Sequence, residues 1–339
     1  MPPELSLPQR RPAWLEQVPQ AWRAPLAHLA LAWAGLFALT WADWAEMGRQ
    51  WWNSSTCNHV LLIPPILAWL VWLRWPELRK LRPLAWWPPL AWLAAALLAW
   101  GLGTVMLLQA AVAVVLGPSV TAGLLFPLAY MIFLVPFGDE IMPPLQAITA
   151  HIAVALTHAS GVPATMTGVF IDTPVGRFEV AQACSGVKFL IAMIALGTLV
   201  AHLCFRSNKR RALFMAACGV VPILANGVRA WGTIYVAQSR GVAFAAGFDH
   251  IVYGWIFFAI VMALLLGLSW RFFDRPTNDR LIKAEALEGS LLLGRLARNR
   301  MAGWPAVLTL LTATLATRWS IAWAAPFVEG SLAALGLRP

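Results

Sequence analysis

Charge is scarce in this chain. Only 12% of its 339 residues are Asp, Glu, Lys or Arg, against 60% hydrophobic residues and a mean hydropathy of +0.68, which excludes an ordinary water-soluble domain. Cysteine is scarce too: Cys57, Cys184, Cys204 and Cys218 are the whole complement. No CxxC pair or Cys/His metal spacing joins them, so neither a disulfide framework nor a metal site is expected, and no cofactor is implied. The net charge of +10 is not gathered into a basic stripe interleaved with aromatics, so nucleic acid is not an expected partner. No small-residue cleavage site follows the first apolar run, Leu26 to Trp41, and that run is expected to stay as a helix instead of being removed as a signal peptide. Internal repeats and low-complexity tracts are also missing.

What is abundant is apolar sequence in lengths that cross a bilayer. A spanning helix needs about 20 mainly apolar residues because its backbone must satisfy itself in hydrocarbon. Such stretches are read at 26–42, 59–74, 84–101, 103–118, 120–137, 184–205, 212–236, 251–272 and 303–325. Gly101 and Gly103 leave open whether 84–118 is two helices or one kinked helix. Twenty tryptophans suit the membrane interfaces. With the N-terminus in the cytoplasm, most of the basic residues fall on the cytoplasmic side: Arg74, Arg79, Lys80 and Arg82 after the second span, Arg206 to Arg211 after the sixth, and the run from Arg271 to Arg300. That is the positive-inside pattern.

The expected fold is therefore an all-α polytopic membrane protein of about eight or nine transmembrane helices. The largest segment on the outer face, 138–183, has Ile141, Leu145, Ile148, Ile152 and Leu156 at helical spacing, predicting an amphipathic interfacial helix. After it, Val169 to Ile171 faces Phe178 to Val180 across a Thr-Pro-Val-Gly turn, predicting a β-hairpin that runs into Cys184. The organisation expected is a cytoplasmic segment 1–25, a transmembrane core 26–273, a polar cytoplasmic linker 274–302, and a further helix with a short tail, 303–339.

Three polar residues converge once this topology is drawn. Cys184 opens the sixth span, Arg229 lies in the outer half of the seventh and His250 opens the eighth, so all three reach one face of the membrane. A cysteine at a helix N-terminus with Lys188 four residues on is expected to favour its reactive thiolate form; the alternative is a small buried apolar residue beside Ser185 and Gly186. Arg229 is costly in hydrocarbon and needs a partner or a task. Asn226, one turn earlier, can hold its guanidinium; the task is an oxyanion or a carboxylate, and the alternative is snorkelling to lipid phosphate. His250 titrates near neutral pH and suits an acid or base, with Asp249 expected to cap the helix. His59 also lies on the outer face, as a substrate-positioning or an interfacial residue, and Cys57 beside it does not complete a metal site. Cys204 and Cys218 fall at the other side as packing residues.

With "ACSGVKF", "ANGVRAWG" and "GFDHIVYGW" in this order, and "NHVLLIPPI" upstream, the sequence resembles the exosortases, most closely the exosortase A type found with exopolysaccharide loci. The resemblance spans about residues 40–272. It implies a multi-pass protein of the bacterial inner membrane, a cysteine transpeptidase or protease with its active site on the periplasmic side, and it puts the catalytic roles on Cys184, Arg229 and His250. The implied substrates are secreted proteins ending in a Pro-Glu-Pro motif, a transmembrane segment and a basic tail, with membrane lipids around the site and an acceptor nucleophile that the resemblance does not name. That type is often followed by a further periplasmic domain, expected to be missing or only begun before Pro339. Two rivals stand beside it: a transporter or flippase in which Arg229 binds an anionic head group, and a non-enzymatic assembly factor for exopolysaccharide export.

Overall fold

A computed structural model of the protein describes residues 18–54, 57–98, 102–242, 249–276 and 279–334. Its contacts divide the chain into two units: Met1–Gly48 with Leu62–Val135 and Arg280–Pro339, and Arg49–Leu61 with Pro136–Asp279.

The first unit is built around α5 (Leu102–Gly123), whose apolar window is 78% buried. Ahead of it come α1 (Gln20–Leu39), α2 (Trp41–Asn53), of which the residues up to Gly48 belong to this unit, α3 (Ile63–Leu78) and α4 (Leu90–Leu98). α4 and α5 run antiparallel: Trp86 N–H donates to Val114 O at 2.9 Å, the Trp92 indole to Gln109 Oε1 at 3.2 Å, and a Cβ on Gly103 would stand 2.2 Å from Ala96 O. The stretch 84–118 is thus two helical segments rather than one kinked helix. The segment read as a span at 84–101 becomes helical only at Leu90, after Pro83, Pro88 and Pro89, which lack backbone donors; its described helix has 9 residues, Leu90–Leu98. Gly117, at φ +83°, breaks α5 one residue before Pro118 and passes against Leu84 O. α6 (Leu125–Tyr130) follows.

The polar stretch after residue 279 is tied down rather than loose. Buried Glu77 at the end of α3 accepts from Lys80 Nζ at 2.7 Å, Arg280 Nη1 at 3.0 Å and the Ala284 N–H at 3.1 Å. A buried carboxylate is tolerable only with such partners.

The second unit holds the outer-face insert and three long helices. α7 (Met142–Ala159) is the predicted amphipathic helix, and the predicted hairpin is present as β2 (Phe170–Thr173) and β3 (Gly176–Glu179), in register Ile171 to Phe178. The structure adds an edge strand that patterning did not reveal, β1 (Thr165–Thr167), giving sheet order β1-β2-β3. Ile171, fully buried, packs this sheet on Ala150 and Ala153 of α7. α8 (Val187–Cys204), α9 (Asn208–Arg240) and α10 (Asp249–Ser269) complete the unit. Glycines set their spacing: a Cβ on Gly227 would meet Ile152 at 2.3 Å, and one on Gly197 would meet Cys218 at 2.6 Å.

At the basic end of this unit Phe205 packs on Phe214 and Phe273, and the Asp274 carboxylate accepts from the N–H groups of Arg206 (2.6 Å) and Ser207 (3.2 Å). These bonds hold the Asp274 carboxyl below the usual aspartate range, Arg206 contributing most. Segments 274–302 are completed by α11 (Ala284–Glu288) and α12 (Leu291–Leu296), and α13 (Gly303–Ala334) ends the described chain, lying on α1 through Gly35 and Leu311 in the first unit.

Five described helices or helix runs are long and apolar enough to cross a membrane: 58–78, 103–123, 187–204, 208–240 and 254–272. The number is seven if two bent pairs, 20–39 with 41–53 and 125–134 with 139–159, each count as one span. The protein is a polytopic α-helical membrane protein with a small sheet.

Candidate active site

Cys184 is the last residue of a 3₁₀ turn, Gln182–Cys184, and not the first residue of α8. Gly186, at φ +84°, breaks the chain between them. The expectation that Cys184 and Lys188 share a helical face is therefore corrected: the i, i+4 relation does not cross a left-handed residue. Lys188 nonetheless lies close enough to feel the charges of both Arg229 and Cys184. Its half-buried ammonium sits 5.2 Å from the Phe189 ring centroid and 5.9 Å from that of Trp255.

The turn is held from α9. Asn226 Nδ2 donates to the Cys184 carbonyl at 2.8 Å and to Thr149 Oγ1 at 3.0 Å, so Asn226 fixes the cysteine's backbone rather than the Arg229 guanidinium, a second correction. A Cβ on Gly186 would fall 2.8 Å from Asn226 Cγ. Position 186 thus needs glycine twice, for its left-handed backbone and for the closeness of this amide. Ser185 is buried, its Oγ 3.4 Å from the Val187 N–H. Upstream, Gln146 Nε2 donates to Val180 O at 2.8 Å and anchors the exit of β3.

Arg229 turns inward. On α9 the exposed apolar residues Leu213, Val220, Leu224, Val228 and Tyr235 form one stripe, and Cys218, Pro222, Asn226 and Arg229 form the opposite, buried one. Arg229 is only 6% exposed, which rules out the snorkelling geometry. Its Nε has no hydrogen-bond partner among the described residues, and neither has Asn226 Oδ1. Gly254 of α10 makes room for the guanidinium, since a Cβ there would stand 2.9 Å from Nη1.

Cys184 and Arg229 line one cavity of about 280 Å³, close to the lower end of the ~300–1,000 Å³ common for ligand sites. Arg177, Phe178, Glu179 and Val180 form one wall, Ala230, Thr233 and Ile234 of α9 the other, and Val242 closes an end. Position 250 lies in the first turn of α10, one turn before Gly254 and so on the same helical face. The side chains of His250 and Asp249 lie outside the described residues. His59, in the 3₁₀ turn Asn58–Leu62, is half-buried and not among the residues lining the cavity. Cys57 beside it is buried, its thiol pushed up chiefly by burial.

Several residues of this site escaped the sequence reading: Thr149, Gln146, Gly254 and the β3 wall. Gly254 had a weak signal as a glycine within an apolar helix; Thr149 and Gln146 had none, because they act only through contacts more than thirty positions away.

Residues 51–267 match the family model described as transmembrane exosortase (Exosortase_EpsH). No curated protein and no solved structure matches the chain.

Proposed function

The chain belongs to the transmembrane exosortase family, a family of membrane transpeptidases, and from that premise we propose that it cuts C-terminal sorting signals through a Cys184 thioester. The observation that carries this reading is a cavity shared by a cysteine and a buried arginine whose Nε has no hydrogen-bond partner among the described residues. Leaving a guanidinium desolvated is costly unless a ligand or a transition state supplies the missing acceptor.

In the proposed reaction the Cys184 thiolate attacks the carbonyl carbon of the scissile peptide bond. A C–S bond forms, and the carbonyl electron pair moves to an oxyanion that Arg229 stabilises by charge-assisted hydrogen bonds. Collapse breaks the C–N bond, and the leaving amine takes a proton from His250. The thioester is then opened by an amine acceptor, giving transpeptidation, or by water, giving hydrolysis; the acceptor's proton passes to His250, and the C–S bond breaks to regenerate the thiolate. Asn226 and Gly186 position the nucleophile's backbone. The substrates are secreted proteins with a Pro-Glu-Pro motif, a transmembrane segment and a basic tail. The basic loops support a site on the periplasmic side of the bacterial inner membrane, and the exosortase A likeness supports a link to exopolysaccharide.

The test is co-expression with a reporter carrying such a C-terminus, read by intact mass. Wild type is expected to yield a shortened or adducted reporter and Cys184→Ala none, the added mass identifying the acceptor. Equal cutting by both proteins removes Cys184 from the mechanism. A transporter or an assembly factor, the rivals, would keep its function with Cys184→Ala.

A further inference from the structure

β3 has a partner on one side only: it is an edge strand among the described residues, in the order β1-β2-β3. In an antiparallel ladder, successive residues turn their N–H and C=O alternately towards and away from the neighbouring strand. Here the Val180 N–H bonds inward to Val169 O at 2.9 Å, and Phe178 stands opposite Ile171 in the same register. Arg177 and Glu179 therefore direct their backbone N–H and C=O groups away from β2. Four consecutive residues, 177 to 180, line the Cys184 cavity. One face of a strand would contribute alternate residues only; a consecutive run brings both faces and the open edge of β3 to the cavity, which also reaches Ile171 on β2.

Free edges are usually blunted or covered because they recruit other chains. This one leads, five residues on, to Cys184, and it faces α9 across a cavity that holds Arg177, Glu179 and the buried Arg229. We propose that β3 is the substrate-docking strand: an extended, acidic segment of the sorting signal pairs with Arg177 and Glu179 as a fourth strand, bringing the adjoining peptide bond to Cys184. The inference rests on the function proposed above and adds the binding mode. Main-chain pairing supplies affinity in strand addition, while pockets for alternate side chains supply selectivity. Arg177 is already engaged, its Nε 3.6 Å from Asp172 Oδ1 and its guanidinium over the Phe170 ring, so the buried Arg229 is the cation that favours an acidic residue.

The Pro-Glu-Pro motif has the backbone chemistry for such an edge. Along an extended peptide the N–H groups point to alternate sides. If the central Glu pairs with β3, both prolines place their missing N–H on the side away from it, where the absent donor breaks no bond.

The experiment measures binding of a fluorescent Pro-Glu-Pro peptide to the full-length Cys184→Ala protein in detergent, where chemistry cannot intervene. N-methylation of the Glu amide, or of the amide two residues from it, is expected to weaken binding about tenfold or more; at three residues from it, little change is expected. On the protein, Glu179→Pro removes one outward N–H without touching the β2 ladder and is expected to weaken binding similarly, while Glu179→Ala is not. Loss without alternation, or no loss from either the Glu N-methyl peptide or Glu179→Pro, overturns the docking mode. So does a peptide that fails to bind while the wild-type protein still cuts the whole reporter. Failure of the enzymatic reading shows differently, as reporter cutting that survives Cys184→Ala.

Discussion

At Arg229 the polar residues of a membrane protein divide by what they cost. Its guanidinium is buried against Gly254 with Nε unmatched, so removing it takes away no internal bond among the described residues. Arg229→Ala is therefore expected to leave thermal unfolding in detergent unchanged or slightly higher, while turnover of the reporter falls roughly 10²- to 10³-fold, as for loss of an oxyanion donor. Coincident losses of stability and turnover would make Arg229 a structural residue. Gly186 is the converse case. Gly186→Ala puts a Cβ on a left-handed backbone, at roughly 1–2 kcal/mol, and drives it into Asn226. The expected result is a lower melting temperature together with loss of the Asn226 bond to Cys184, seen as slower alkylation of the thiol. Cys184 and Arg229 stood out in the sequence because each is a rare residue type in its setting. Their convergence on one face followed from the topology; the Asn226 bond to the Cys184 carbonyl did not, because Gly186 interrupts the helical arithmetic that sequence reasoning applied.

Among the elements, the hairpin and α7 were legible from their periodicity, and α8 to α10 from their apolar length. β1 was not, since three residues, "TMT", are too short a run to establish a period. The late start of α4 was missed for a related reason: hydropathy counts apolar residues without regard to the prolines that delay it. The junction of α8, α9 and α10 at the basic end gives a test at this scale. Asp274 accepts the Arg206 and Ser207 N–H groups where α9 begins, with Arg210 Nη1 3.8 Å away. Its carboxyl is held below the ordinary value in the folded protein, so the stability it supplies is complete above the unfolded pKa, about 3.9, and is lost as pH falls through the folded pKa. Asp274→Asn should thus be less stable than wild type at pH 6 to 7, and the gap should close as the pH is lowered below about 4. Melting curves across that range check it; a gap independent of pH would assign the loss to packing.

On the scale of the whole molecule, the family match ends at residue 267, yet α13 is built into the first unit. Gly35 sits against Leu311, His28 against Trp304 and Arg318 pairs with Asp43. Every residue named around the Cys184 cavity belongs to the second unit. Deleting 303–339 is expected to lower the melting temperature by several degrees while leaving the alkylation rate of Cys184 unchanged, with Cys184→Ala as the labelling control. Equal loss of both would show that the site depends on the first unit's integrity. The division into units was invisible in the sequence, because each is assembled from separated stretches of chain.

Val228 and Arg229 are neighbours in sequence, and one faces outward at 41% exposure while the other is buried. A helix turns about 100° per residue, so a single residue inserted between 208 and 225 would rotate the rest of α9 and put Val228 in the place of Arg229, and a single deletion would put Ala230 there. A seven-residue insertion would return the phase to within about 20°. Related chains should therefore vary in length in the loops flanking α9, and within the helix only in steps close to whole turns.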